Sequence, residues 1–90
     1  MFVTVITVLD GQARVQQIEA ATVKDCLVAW AGRVEVPGLT DEGRTRLRGD
    51  MADFDGSTAA PLVHVWRLES DLGLEAEAKF PVIVVETARP

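Results

Sequence analysis

The chain has few of the residues from which most catalytic and metal sites are built. Its 90 residues include one cysteine, one histidine and no tyrosine. One cysteine excludes an intrachain disulfide, and one cysteine with one histidine is too few for the ligand set of a structural zinc site. We therefore expect a reducing, cytoplasmic compartment and no cofactor.

Long apolar runs are also missing. No run approaches the roughly 20 apolar residues that a membrane-spanning helix requires, and Thr4, Thr7 and Asp10 interrupt the apolar N-terminus where a signal peptide would need continuity. Membrane association is therefore not expected.

Basic residues are scarce in the second half of the chain. Residues 1–49 hold six Lys/Arg and six Asp/Glu, whereas residues 50–90 hold three Lys/Arg and eight Asp/Glu, which gives the net charge of −5. Such a surface repels a phosphate backbone, so nucleic acid is not expected as a partner. The length corresponds to a single domain, residues 1–90, which is too short for most large enzyme folds.

The first quarter of the chain predicts a β-hairpin. Phe2 to Leu9 is rich in Val, Ile and Thr, and Asp10-Gly11 is a preferred pair for a tight turn. The returning strand, from Ala13 to about Glu19, is more polar, as is typical of an edge strand.

Two helices follow in the sequence. Thr22 is a suitable N-cap for the first, and an apolar stripe at helical spacing follows it; its members are Val23, Cys26, Leu27, Trp30 and Ala31. Gly32 is expected to end that helix in a left-handed conformation. Thr40 predicts the start of a shorter helix over about 41–48, and the composition of residues 49–61 indicates a loop.

The rest of the chain predicts two more strands. Branched and aromatic residues favour a strand over 62–68, and a second strand ends in residues 82–87 after a bulge at Pro81. Residues 74–80 alternate apolar and polar side chains, which favours a strand, although a short helix capped by Ser70 is the alternative. The predicted fold is an α+β domain with element order ββααββ, a four-stranded antiparallel sheet and both helices on one face.

Three of the predicted strands are apolar on both sides. Four strands of six residues give a sheet face on the order of 400 Å², and two helices about 10 Å wide cover only one such face. The second face is therefore expected to bind another protein chain, with His64, Trp66, Val82 and Val84 as interface candidates. The alternative is that the 49–61 loop and the C-terminus fold over it.

The segment "DFDGST", residues 53–58, resembles two known motifs. It resembles the aspartate box of haloacid dehalogenase phosphatases, which would make Asp53 the nucleophile and Asp55 the acid and base. However, a polar segment precedes it, and that family needs a larger parallel sheet. It is also similar to an EF-hand calcium loop, but Met51 and Leu62 occupy two ligand positions. Two interpretations remain. The segment is either a weak divalent-cation site formed by Asp50, Asp53 and Asp55, or a solvated turn with Gly56 at positive φ.

The other reactive side chains indicate structural roles. We expect His64 to be a packed or interface residue on a strand face with Leu62 and Trp66, and Cys26 to be a small core residue. A hydrolase using His64 or Asp53 is the third hypothesis for the chain. We expect Trp30 and Trp66 to anchor the core, with a role as interface hot spots as the alternative. We expect the arginines at positions 33, 44, 46 and 48 to lie on a solvated helix face or to pair with Glu42 and the following aspartates; contact with phosphate or nucleic acid is the alternative for this cluster.

The sequence therefore predicts a non-enzymatic protein that acts by association, as a homodimer or as a module that binds another protein. A toxin-neutralising role is one version, because acidic surfaces steer basic partners. The alternative is a domain that binds a small ligand or a divalent metal in a pocket between the sheet and the helices.

Overall fold

The computed structural model describes residues 1–9, 11–36, 38–70 and 80–88. The elements in chain order are β1 (Phe2–Leu9), β2 (Gln12–Glu19), α1 (Val23–Arg33), α2 (Asp41–Ala52), β3 (Val65–Ser70) and β4 (Phe80–Glu86). The predicted α+β class and the ββααββ order are confirmed.

The four strands form one antiparallel sheet in the order β2-β1-β4-β3. Ile6 in β1 lies opposite Val15 in β2 and opposite Ile83 in β4, which fixes the register of three strands. Gly11 has φ +74°, as a tight turn between β1 and β2 requires. The two central strands, β1 and β4, are apolar on both faces, whereas β2 at one edge is more polar.

The first helix begins as predicted and ends differently. The Thr22 side chain accepts a hydrogen bond from the backbone N–H of Asp25 at 3.1 Å, which caps the helix. The predicted stop at Gly32 is wrong, because the helix continues to Arg33 and Val34 follows it with φ −61°. Side-chain capping from another element satisfies the carbonyls at this end, so no left-handed glycine is needed.

The second helix is longer than predicted. Thr40 caps it through a 3.0 Å bond from Gly43 N, but it extends to Ala52 instead of ending near residue 48. Leu47 and Met51 lie one turn apart and are fully buried. Burial of two such side chains is worth about 1.5–3 kcal/mol each, which outweighs the cost of about 1 kcal/mol for Gly49 within the helix.

The third strand begins three residues later than predicted. His64 has φ +60°, which is incompatible with an extended strand, so β3 starts at Val65. The predicted bulge at Pro81 is also wrong, because the ladder runs without interruption through the pairs Ser70–Phe80, Glu69–Pro81 and Leu68–Val82. The choice between strand and helix for residues 74–79 lies outside the described residues.

The core lies between the two helices and one face of the sheet. Its largest fully buried members are Trp30, Leu27, Leu47, Met51, Val3, Val5, Val82 and Val84. The indole N–H of Trp30 donates to Gln16 Oε1 at 2.9 Å, so the ring is buried without leaving its one donor unpaired. Trp30 and Trp66 are both core residues, as predicted.

Candidate functional site

The sheet face that points away from the helices carries a row of apolar side chains. Because side chains alternate along a strand, the pairings Ile6–Val15, Ile6–Ile83 and Val65–Val85 place all these residues on one face. We call this surface the open face; it comprises Phe2, Thr4, Ile6, Val8, Ala13, Val15, Gln17, Glu19, Val65, Arg67, Glu69, Pro81, Ile83 and Val85.

The open face has an apolar centre and a polar margin. Val8 and Val15 are 44% and 62% exposed, and Ile6, Ile83 and Val85 are partly buried. The charged side chains of this face lie on the outer strands, where Arg67 pairs with Glu69 at 3.1 Å. An apolar centre within a polar rim is the usual composition of a protein interface.

Three of the four predicted interface residues lie on the wrong face. Trp66 is opposite Val84, which is opposite Val5, and all three side chains are buried beneath the helices. Val82 is likewise fully buried. Neighbouring strand residues point to opposite faces, so the side chains of β4 available to another chain are Ile83 and Val85.

His64 is not packed on a strand face, in contrast to the prediction. Its side chain is 69% exposed, and its Nδ1 lies 3.5 Å from Glu86 Oε1. Two nucleophiles that a His64 base could activate are not available to it, since the Ser70 hydroxyl donates to Asp50 Oδ2 at 2.6 Å and Cys26 is fully buried. Burial raises the pKa of the Cys26 thiol, which makes it a poor nucleophile.

The aspartates at 50, 53 and 55 do not form a cation site. Among the residues that the structure describes, no three His, Cys, Asp or Glu side chains are grouped to hold a metal ion. The Asp55 carboxylate accepts a 2.8 Å bond from the backbone N–H of Ser57, which lowers the pKa of Asp55. Gly56 has φ +84°. Residues 53–58 therefore form the solvated turn that the sequence offered as an alternative to weak cation binding.

The segment from Asp53 to His64 lies on the helix side of the sheet and along its edge. Phe54 packs against the core, and Gly56 O accepts a bond from the Trp66 indole at 3.1 Å. The backbone N–H of Ala59 donates to Val65 O at 2.8 Å, so this segment covers part of the outer edge of β3. These contacts place the segment on the helix side of the sheet and not over the open face.

A second surface feature is a pair of clefts between β2 and the connection that links the two helices. Two adjoining clefts of about 380 and 410 Å³ share Arg14 and Glu35 in their walls. One also contains Gln16 and Arg33, and the other contains Leu39 and Arg44. We call the pair the basic cleft. It lies at the edge of the sheet, instead of between the sheet and the helices as the small-ligand alternative predicted.

Two of the cleft arginines are fixed by backbone carbonyls. Arg14 Nη1 donates to Glu35 O at 2.5 Å, and Arg44 donates to Ala31 O and Val34 O, both at 2.9 Å. The sequence favoured a solvated surface for Arg33 and Arg44 and indicated no role for Arg14. Only the packing of α1, α2 and β2 brings these residues together, so no spacing in the sequence indicates the cleft.

Comparison with known proteins gives no match to a protein-family model, to a curated protein or to a solved structure. In the described part of the chain, the helices are too short and too polar to cross a lipid bilayer.

Proposed function

We propose that the protein acts by association with a second copy of itself through the open face. The observation that carries the proposal is the apolar row Val15, Ile6 and Ile83 on the face opposite the helices. Two such faces packed about 10 Å apart would give a four-layer arrangement with the helices outside. On this proposal the protein is a cytoplasmic interaction module without enzymatic activity.

The charge distribution favours a second copy over a foreign basic protein. The acidic residues of the second half would steer a basic partner, but on the open face Glu69 is paired with Arg67, and the other charged side chain of the face is Glu19 at the end of β2. Two copies would therefore meet through their apolar centres, with the charged side chains at the margin. The net charge of −5 on each copy opposes association at long range, so added salt should strengthen the dimer.

The size of the face predicts a weak dimer. A sheet face of on the order of 400 Å² is about half of the roughly 800 Å² that each partner buries in a standard interface. Sedimentation analysis from about 5 to 500 µM should therefore show a reversible shift from monomer to dimer, and the dimer should increase with salt.

Lysine substitutions test which surface is used. Val8→Lys and Val15→Lys introduce charge at exposed positions of the open face, and each should shift the equilibrium to monomer by about tenfold in Kd or more. Val63→Lys and Leu62→Lys are matched controls, because these residues are 71% and 56% exposed and lie outside the sheet. They should dimerise like the wild type.

Circular dichroism must show that all four variants remain folded. A monomeric wild type at the highest concentration, or equal loss of dimer in the control variants, would contradict the proposal.

A further inference from the structure

We propose that the basic cleft binds a small anionic molecule that carries more than one carboxylate or phosphate group. This inference does not require dimerisation, because the cleft is formed by the edge of β2 and the α1–α2 connection; Val15 is the one cleft residue that also belongs to the open face. Its walls contain three arginines and one glutamate, whereas the whole chain has a net charge of −5. The cleft thus concentrates positive charge on an otherwise acidic protein.

The guanidinium groups are held in place before a ligand arrives. Arg14 is held by Glu35 O, and Arg44 is held by two carbonyls at the end of α1. Both hydrogen bonds of Arg44 are partly buried. A guanidinium has five N–H donors, so each group retains donors for an oxyanion after these bonds are made. Because these side chains are already ordered, binding a ligand costs less side-chain conformational entropy.

Gln16 adds a neutral donor to the same wall. Its Oε1 accepts the 2.9 Å bond from the Trp30 indole, which fixes the orientation of the amide. The amide nitrogen provides two N–H donors, which suit a carboxylate or phosphate oxygen. Arg33 is exposed at the same cleft and adds a third positive charge.

The shape of the cleft indicates a ligand with at least two acid groups. Arg14 lies in the wall of both parts, with Arg33 on one side and Arg44 on the other. The two volumes, about 380 and 410 Å³, are at the lower end of the range of roughly 300–1,000 Å³ for small-molecule sites. One acid group can therefore bind near Arg33 and Gln16 while a second reaches Arg44.

Isothermal titration with citrate and with pyrophosphate tests the proposal on the intact protein. The ionic strength is held constant with sodium chloride, because diffuse charge effects would otherwise contribute. We expect saturable binding of at least one probe with a Kd below about 1 mM. Binding of citrate alone identifies a carboxylate ligand, and binding of pyrophosphate alone identifies a phosphate ligand.

Matched arginine variants locate the site. Arg33→Gln should weaken binding by roughly tenfold, whereas Arg48→Gln removes the same charge from an exposed position of α2 outside the cleft and should change Kd less than twofold. Heats equal to those of sodium chloride for both probes would overturn the proposal. So would an equal loss in the two variants, because it would mean diffuse attraction without a site.

Discussion

Arg44 joins the two helices through hydrogen bonds, although the sequence favoured a solvated surface for it. It lies in the first half of α2, and its two terminal nitrogens donate to Ala31 O and Val34 O at the end of α1. The last four carbonyls of an α-helix have no partner within the helix, and α1 ends without a left-handed glycine. Arg44 therefore caps one helix from the other and fixes the angle between them.

The stability effect of Arg44→Ala can be worked out from these contacts. Hydrogen bonds to a charged group contribute about 1.5–3 kcal/mol each, and water can partly replace them because the site is only partly buried. Discounting by about half gives a loss of about 2 kcal/mol for the pair. For a domain of this size, that loss corresponds to a decrease in Tm of roughly 8–16 °C.

Urea denaturation followed by tryptophan fluorescence measures the loss. Arg44→Lys keeps the charge but cannot reach both carbonyls with one ammonium group, so we expect about half the effect. Arg48→Ala is the control, because Arg48 is an exposed residue of the same helix, and it should change stability by less than about 0.5 kcal/mol. If Arg44→Ala were no more destabilising than Arg48→Ala, the capping argument would be refuted.

Three further predictions concern the core and two titratable groups. Leu47→Ala removes a fully buried side chain and should cost about 3 kcal/mol in urea denaturation; a loss below about 1 kcal/mol would show that the site is not tightly packed. Because burial raises the folded-state pKa of Cys26 above 9.0, its contribution to stability is fully present below pH 9.0 and is lost as the pH rises through the folded pKa. Wild type should therefore lose more stability above pH 9.0 than Cys26→Ala does, and parallel pH curves would contradict this. The hydrogen bond from the Ser57 N–H lowers the folded-state pKa of Asp55, so the contribution of Asp55 to stability is present above pH 3.8 and is lost as the pH falls through the folded pKa. Carbon NMR should therefore give a pKa below 3.8 for Asp55, and a value at or above 3.8 would argue against the turn.

Much of the local structure was predictable because it depends on neighbouring residues. Thr22 and Thr40 cap helices through bonds to backbone groups three residues away, which is a local geometry. The buried stripe of α1 follows from helical spacing, and the hairpin of β1 and β2 follows from its turn and branched residues. Local signals failed at Gly32 and after residue 48, because partners distant in sequence decide where these helices end.

The sequence by itself determined the element order, the antiparallel sheet and the need to cover two apolar faces of the central strands. It did so because periodicity and capping depend on residues close together in the chain. Only the tertiary structure decided which face of β4 the helices cover, since shifting by one residue exchanges Val82 and Val84 with Ile83 and Val85. It also brought Arg14 together with Arg33 and Arg44, because a cleft between three elements depends on packing that no local pattern encodes.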